Sequence, residues 1–81
     1  MAERILLVED EALVADMVRL NLEHAGFRVD AVTTGTEGLD RLQSHAYDLA
    51  LLDVMLPGVT GFEVARKARE AGIATPILML T

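Results

Sequence analysis

The chain has 81 residues, room for one small domain, and thirteen acids against seven bases give it a net charge of −6. That balance argues against a nucleic-acid surface, which needs a basic patch, and the lack of cysteine excludes disulfides, thiolate catalysis and cysteine-held metals. The start, Met1-Ala2-Glu3-Arg4, leads into too few apolar residues for a signal peptide, and the stretch around 49–56 is too short to span a bilayer, so the chain reads as soluble and cytoplasmic with no membrane contact.

Short apolar runs alternate with amphipathic stretches, the pattern of βαβ units and a parallel sheet. Residues 5–8, Ile-Leu-Leu-Val, read as a first strand. From Glu11 onward Leu13, Met17 and Leu20 recur at helical spacing, flanked by Val14, Val18 and Leu22, which predicts a helix with a broad apolar face that Gly26 stops. Residues 27–32 alternate as a shorter strand, one suited to an edge. Thr34-Gly35-Thr36-Glu37 fits a capping box that opens a second helix, with Leu39, Leu42 and Ala46 as a thin apolar stripe and Glu37–Arg41 as an i,i+4 pair.

Residues 48–52 form an almost wholly apolar run, as in a strand buried on both faces. Phe62, Val64, Ala65 and Ala68 mark a third helix, with Glu63 and Lys67 paired on its outer side and Gly72 ending it. A last strand spans 77–80. The order β-α-β-α-β-α-β stops on a strand with no helix after it, so residues 1–81 read as the N-terminal portion of a single, incomplete domain.

Two of the apolar runs end in acids. Residues 5–8 run into Glu9-Asp10, and residues 49–52 into Asp53. An unpaired charge at the edge of a core is costly. Three carboxylates meeting at one end of a parallel sheet repel one another unless a cation joins them, and hard oxygen donors of this kind suit Mg²⁺. His24 and His45 lie late in their helices, where a cation suits the dipole, and read as surface residues. Gly58 and Gly61 are too sparse for a phosphate loop.

The runs Leu6-Leu7-Val8-Glu9-Asp10-Glu11 and Asp53-Val54-Met55-Leu56-Pro57-Gly58 with Gly61, followed by Thr81 after the fourth strand, resemble the receiver domain of two-component response regulators. The resemblance implies an α/β, flavodoxin-like, doubly wound parallel sheet in strand order 2-1-3-4, without the family's fifth strand and last two helices. It implies that Asp53 is the phosphoacceptor, that Glu9, Asp10, Asp53 and the Met55 backbone carbonyl hold Mg²⁺, and that Thr81 is the switch hydroxyl. It also implies a histidine kinase or phosphotransfer protein as phosphoryl donor. An output domain in a longer parent, in many relatives DNA-binding, would read the signal. The family's phosphate-pairing lysine and switch aromatic belong to the fifth strand. Lys67, the only lysine, does not occupy that position.

On this reading the chain is a regulatory phosphoacceptor, not an enzyme beyond its own phosphorylation and dephosphorylation. A haloacid-dehalogenase-type phosphohydrolase would need a second acid two residues after the nucleophile, where Met55 stands. The remaining alternative is a non-signalling fragment that forms a homodimer through the exposed edge of its fourth strand, Ile77-Leu78-Met79-Leu80.

Overall fold

A computed structural model describes residues 2–80. The elements in chain order are β1 (Arg4–Val8), α1 (Ala12–His24), β2 (Arg28–Val32), α2 (Gly35–Ser44), β3 (Leu49–Asp53), α3 (Gly61–Glu70) and β4 (Ile77–Leu80). The strands form one parallel sheet in the order β2-β1-β3-β4, so the doubly wound α/β fold expected from the sequence is present. Chain order reverses between β1 and β3, whose carboxyl ends therefore flank the switch-point crevice where ligands bind in sheets of this kind.

The two central strands explain why their sequences are unbroken apolar runs. Leu6 and Val8 point to one side of β1 and pack with Ala50, Leu52, Leu42, Val64 and Ala68 beneath α2 and α3. Ile5 and Leu7 point to the other side and pack with Leu51 and Ala15 beneath α1. Leu6, Leu7 and Leu52 have no exposed surface at all. Each such side chain contributes roughly 1.5–3 kcal/mol relative to an exposed one. Truncating Leu52 to alanine, at about 2–5 kcal/mol, would remove much of the stability of so small a domain.

The loops set the helix starts. Thr34 Oγ1 accepts the Glu37 N–H at 3.1 Å and caps α2, as the sequence predicts. Thr60 does the same for α3, accepting the Glu63 N–H at 3.2 Å. That second Thr-x-x-Glu spacing is equally legible in the sequence, although it was not among the expected caps.

Several sequence expectations change in the structure. Leu13, Met17 and Leu20, read as part of a core-facing surface of α1, are exposed, while Ala15, Val18 and Leu22 face the sheet. The helix carries apolar residues on two sides, and periodicity cannot tell which side meets the sheet. Phe62 is likewise exposed, and Ala46 lies beyond the end of α2. The expected Glu37–Arg41 and Glu63–Lys67 pairs are not among the ion pairs of the described residues. Glu37 instead accepts hydroxyl hydrogen bonds from Thr33 and Thr34, Arg41 approaches Asp30, and Arg66 pairs with Glu70. Local capping and tertiary partners outcompete helix-surface pairs worth only about 0.3–0.5 kcal/mol.

Candidate functional site

Glu9 and Asp53 reach the same crevice because β1 and β3 are neighbours in register, with Val8 opposite Leu52. Asp10 follows Glu9 in the turn that leads to α1. One carboxylate oxygen from each of Glu9, Asp10 and Asp53 lies within 4.8 Å of the others. The three acids singled out in the sequence thus form one cluster. They differ in exposure: Glu9 is buried, Asp53 half-buried and Asp10 exposed.

Backbone contacts hold two of these carboxylates in place. The Glu11 N–H donates to Glu9 Oε1 at 3.2 Å, and the Glu9 N–H donates to the Val32 carbonyl at 3.1 Å. The Met55 N–H donates to Asp53 Oδ1 at 3.1 Å, which limits rotation of that carboxylate. The loop beyond Asp53 is tied to β4 through the Val54 N–H and the Leu80 carbonyl at 3.1 Å, and to α3 through the Gly61 N–H and the Val54 carbonyl at 3.0 Å. Gly58 sits in this loop at φ 77°, a left-handed conformation that glycine adopts without steric cost.

The electrostatics of the cluster are unbalanced. Burial, and after it the hydrogen-bonded Asp53 carboxylate, push the Glu9 carboxyl above its ordinary value, and the charge of Asp10 adds to this. The Glu11 N–H works in the opposite direction. Crowded carboxylates in a half-buried crevice are a setting that a hard divalent cation relieves. The donor set of three carboxylates fits Mg²⁺ and offers nothing to a soft metal.

Thr81 lies outside the described residues. Lys67 is exposed and lines a shallow cleft between α2 and α3 with Gly35, Thr36, Leu39, Asp40, Val59 and Val64, away from the acid cluster. His24 and His45 are exposed, as expected. Among the described residues no helix is long and apolar enough to cross a membrane. A second polar cluster, not anticipated from the sequence, joins the amino-terminal part of β1 to β2 and to the approach to β3. There Asp30 accepts from the Tyr47 hydroxyl at 2.7 Å and from Arg4 at 3.1 Å. Its signal in the sequence was Asp30 itself, a carboxylate within the strand pattern of residues 27–32.

Residues 5–81 match the family described as the response regulator receiver domain. An uncharacterized transcriptional regulatory protein of Bacillus subtilis (strain 168), YkoG, is 48% identical over 77 residues, covering 95% of this chain and 34% of that protein. The response regulator ArlR of Staphylococcus aureus is 45% identical over 78 residues, covering 96% of this chain and 35% of that protein. The chain therefore spans about a third of the length of the curated relatives it matches. Among solved structures, the receiver domain of a sensor histidine kinase from Pseudomonas aeruginosa PAO1 superposes with a TM-score of 0.93 at 32% identity, covering 100% of this chain and 68% of that one. That structure holds a magnesium ion coordinated in its active site cleft. The N-terminal domain of a response regulator receiver protein from Methanoculleus marisnigri JR1 gives a TM-score of 0.92 at 32% identity, covering 100% of this chain and 68% of that one.

Proposed function

The chain belongs to the response regulator receiver domain family, and on that premise we propose that it is the phosphoacceptor module of a two-component system, with Asp53 receiving a phosphoryl group from a histidine kinase. The observation that carries this reading is the convergence of Glu9, Asp10 and Asp53 within 4.8 Å at the carboxyl ends of β1 and β3. Residues 1–81 then form the N-terminal portion of one receiver domain, β1 to β4, of a cytoplasmic parent. The parent's output domain is read as DNA-binding, because one relative is named a transcriptional regulatory protein.

In this mechanism an Asp53 carboxylate oxygen attacks the phosphorus of a phosphohistidine. A P–O bond forms, the P–N bond breaks with its electron pair returning to the imidazole, and the product is an aspartyl phosphate. The Met55 N–H on Oδ1 orients the nucleophile. Glu9, Asp10, Asp53 and the Met55 carbonyl would hold Mg²⁺, which supplies positive charge against the phosphoryl oxygens. The Glu11 N–H keeps the Glu9 carboxylate aimed at that position. Thr81 is assigned the switch hydroxyl that bonds the phosphoryl group, and the added negative charge biases the surrounding loops between two arrangements.

The test is Asp53→Asn in the intact regulator, presented with a phosphorylated kinase and Mg²⁺. Loss of the hydroxylamine-sensitive label is expected. A label retained by the variant would place the acceptor elsewhere.

One observation favours a second property of the 81-residue chain, self-association through β4. Among the described residues β4 pairs only with β3, and Leu78 beside that open edge is 55% exposed. Exposed apolar edges pair with other chains. Light scattering at rising concentration would show dimers, and a monomer throughout would remove this reading.

A further inference from the structure

We propose that Gly61 is a positioning residue for the Asp53 carboxylate, a role that rests on the reading of Asp53 as acceptor and metal ligand. Gly61 opens α3 and is buried. A Cβ at this position would collide with the Asp53 carbonyl oxygen and come within 3.1 Å of the Asp53 carbonyl carbon and 3.3 Å of Met79 Sδ. The first two atoms are backbone and cannot swing aside as a side-chain tip can. The start of α3 therefore rests directly on the peptide unit of the residue whose carboxylate enters the acid cluster.

The same short segment is gripped on two sides. The Gly61 N–H bonds the Val54 carbonyl at 3.0 Å, and the Val54 N–H bonds the Leu80 carbonyl at 3.1 Å. Any shift of α3 away from β3 therefore moves the end of β3 against β4. Glu9 and Asp10 are carried by β1 and the turn after it, and among the described residues neither hydrogen-bonds Val54 or Gly61. A displacement at residue 61 thus acts first on the Asp53 peptide, and through it on the spacing between Asp53 and its partner acids. Gly58 and Gly72 contrast with this, since both have positive φ and a Cβ on either would meet no atom within 4 Å. They serve backbone conformation, whereas Gly61 serves close approach.

The test compares Gly61→Ala with Gly72→Ala in the 81-residue chain by amide NMR during titration with MgCl₂. Gly72→Ala is the stability control, because φ 81° strains an alanine beyond the far end of α3. Trimethylamine N-oxide is added to hold each variant folded. Gly61→Ala is expected to shift the Met55 amide, which reports the bond to Asp53 Oδ1, before any metal is added. It is also expected to weaken Mg²⁺ binding by about tenfold, the scale of other outer-shell substitutions. Gly72→Ala should keep the wild-type Met55 resonance and Mg²⁺ affinity.

A Gly61→Ala variant with unchanged Met55 resonance and affinity overturns the proposal. Equal weakening in Gly72→Ala overturns it too, because general destabilisation would then explain both. A Gly61→Ala chain that stays unfolded in the osmolyte while Gly72→Ala folds makes Gly61 a folding determinant and also overturns the proposal. If the wild-type chain takes up no Mg²⁺, the metal reading fails separately, and the Met55 shift alone decides the positioning role.

Discussion

The Tyr47 hydroxyl donates to Asp30 Oδ2 at 2.7 Å, joining the approach to β3 to edge strand β2. Arg4 reaches the same carboxylate oxygen at 3.1 Å while its guanidinium lies 5.2 Å from the centre of the Tyr47 ring. The Arg4 N–H also donates to Asp48 Oδ2 at 2.7 Å. This cluster fastens the lower edge of the sheet, at the opposite end from the acid crevice.

Tyr47→Phe keeps a buried ring but removes the hydroxyl that Asp30 accepts. The expected loss is about 1 kcal/mol, below the roughly 1.5–3 kcal/mol of bonds to charged groups, because Asp30 is partly open to water. Urea unfolding should show a lower midpoint with an unchanged slope. An unchanged midpoint would mean that Arg4 and solvent replace the lost bond fully.

The same cluster sets an acid limb of stability. The Tyr47 hydroxyl first, and then Arg4 and Arg41, hold the Asp30 carboxyl below its ordinary range against the opposing effect of its burial. The native chain thus binds this proton more weakly than the unfolded chain does. The stabilisation is present above the ordinary aspartate value, about 4, and is lost as pH falls through the lower native value. Asp30→Asn should flatten that limb in unfolding curves taken from neutral to acid pH. A limb of unchanged steepness would assign acid sensitivity to other carboxylates.

These residues show what the sequence could and could not convey. The strands were legible because the 5–8 and 49–52 runs are buried on both faces, and such runs leave few alternatives. The acid cluster was legible because Glu9, Asp10 and Asp53 each interrupt or follow such a run. The burial side of α1 was not, since Leu13, Met17 and Leu20 offer as good an apolar stripe as the one that packs. The Tyr47–Asp30 bond was hidden because it joins residues 17 apart through tertiary placement alone. The role of Gly61 depends on the distance to another backbone, which no sequence pattern encodes.

Glu9 has the opposite sign to Asp30. Burial and the adjacent Asp53 carboxylate raise its native value, so the stability of the metal-free chain is full below the ordinary glutamate value and falls as pH rises past it. Glu9→Gln should therefore raise the metal-free Tm at neutral pH. The same variant should lose the Tm increase that Mg²⁺ gives the wild type by mass action. A variant still stabilised by Mg²⁺ to the wild-type extent would exclude Glu9 as a ligand.

Gly58→Ala tests the loop independently of packing. There is open space for a methyl group, so the cost is the φ of 77° alone, about 1–2 kcal/mol for a left-handed alanine. Thermal unfolding should register that loss without expansion of the core. A neutral substitution would show that the loop relaxes to another conformation.

The acid crevice as a Mg²⁺-dependent phosphoacceptor pocket is tested most directly by amide NMR of the wild-type chain with and without Mg²⁺. Dispersed resonances whose Mg²⁺-induced shifts concentrate at Glu9, Asp10, Asp53 and Met55 are expected. A dispersed, folded spectrum that does not respond to Mg²⁺ at those residues would contradict the assignment.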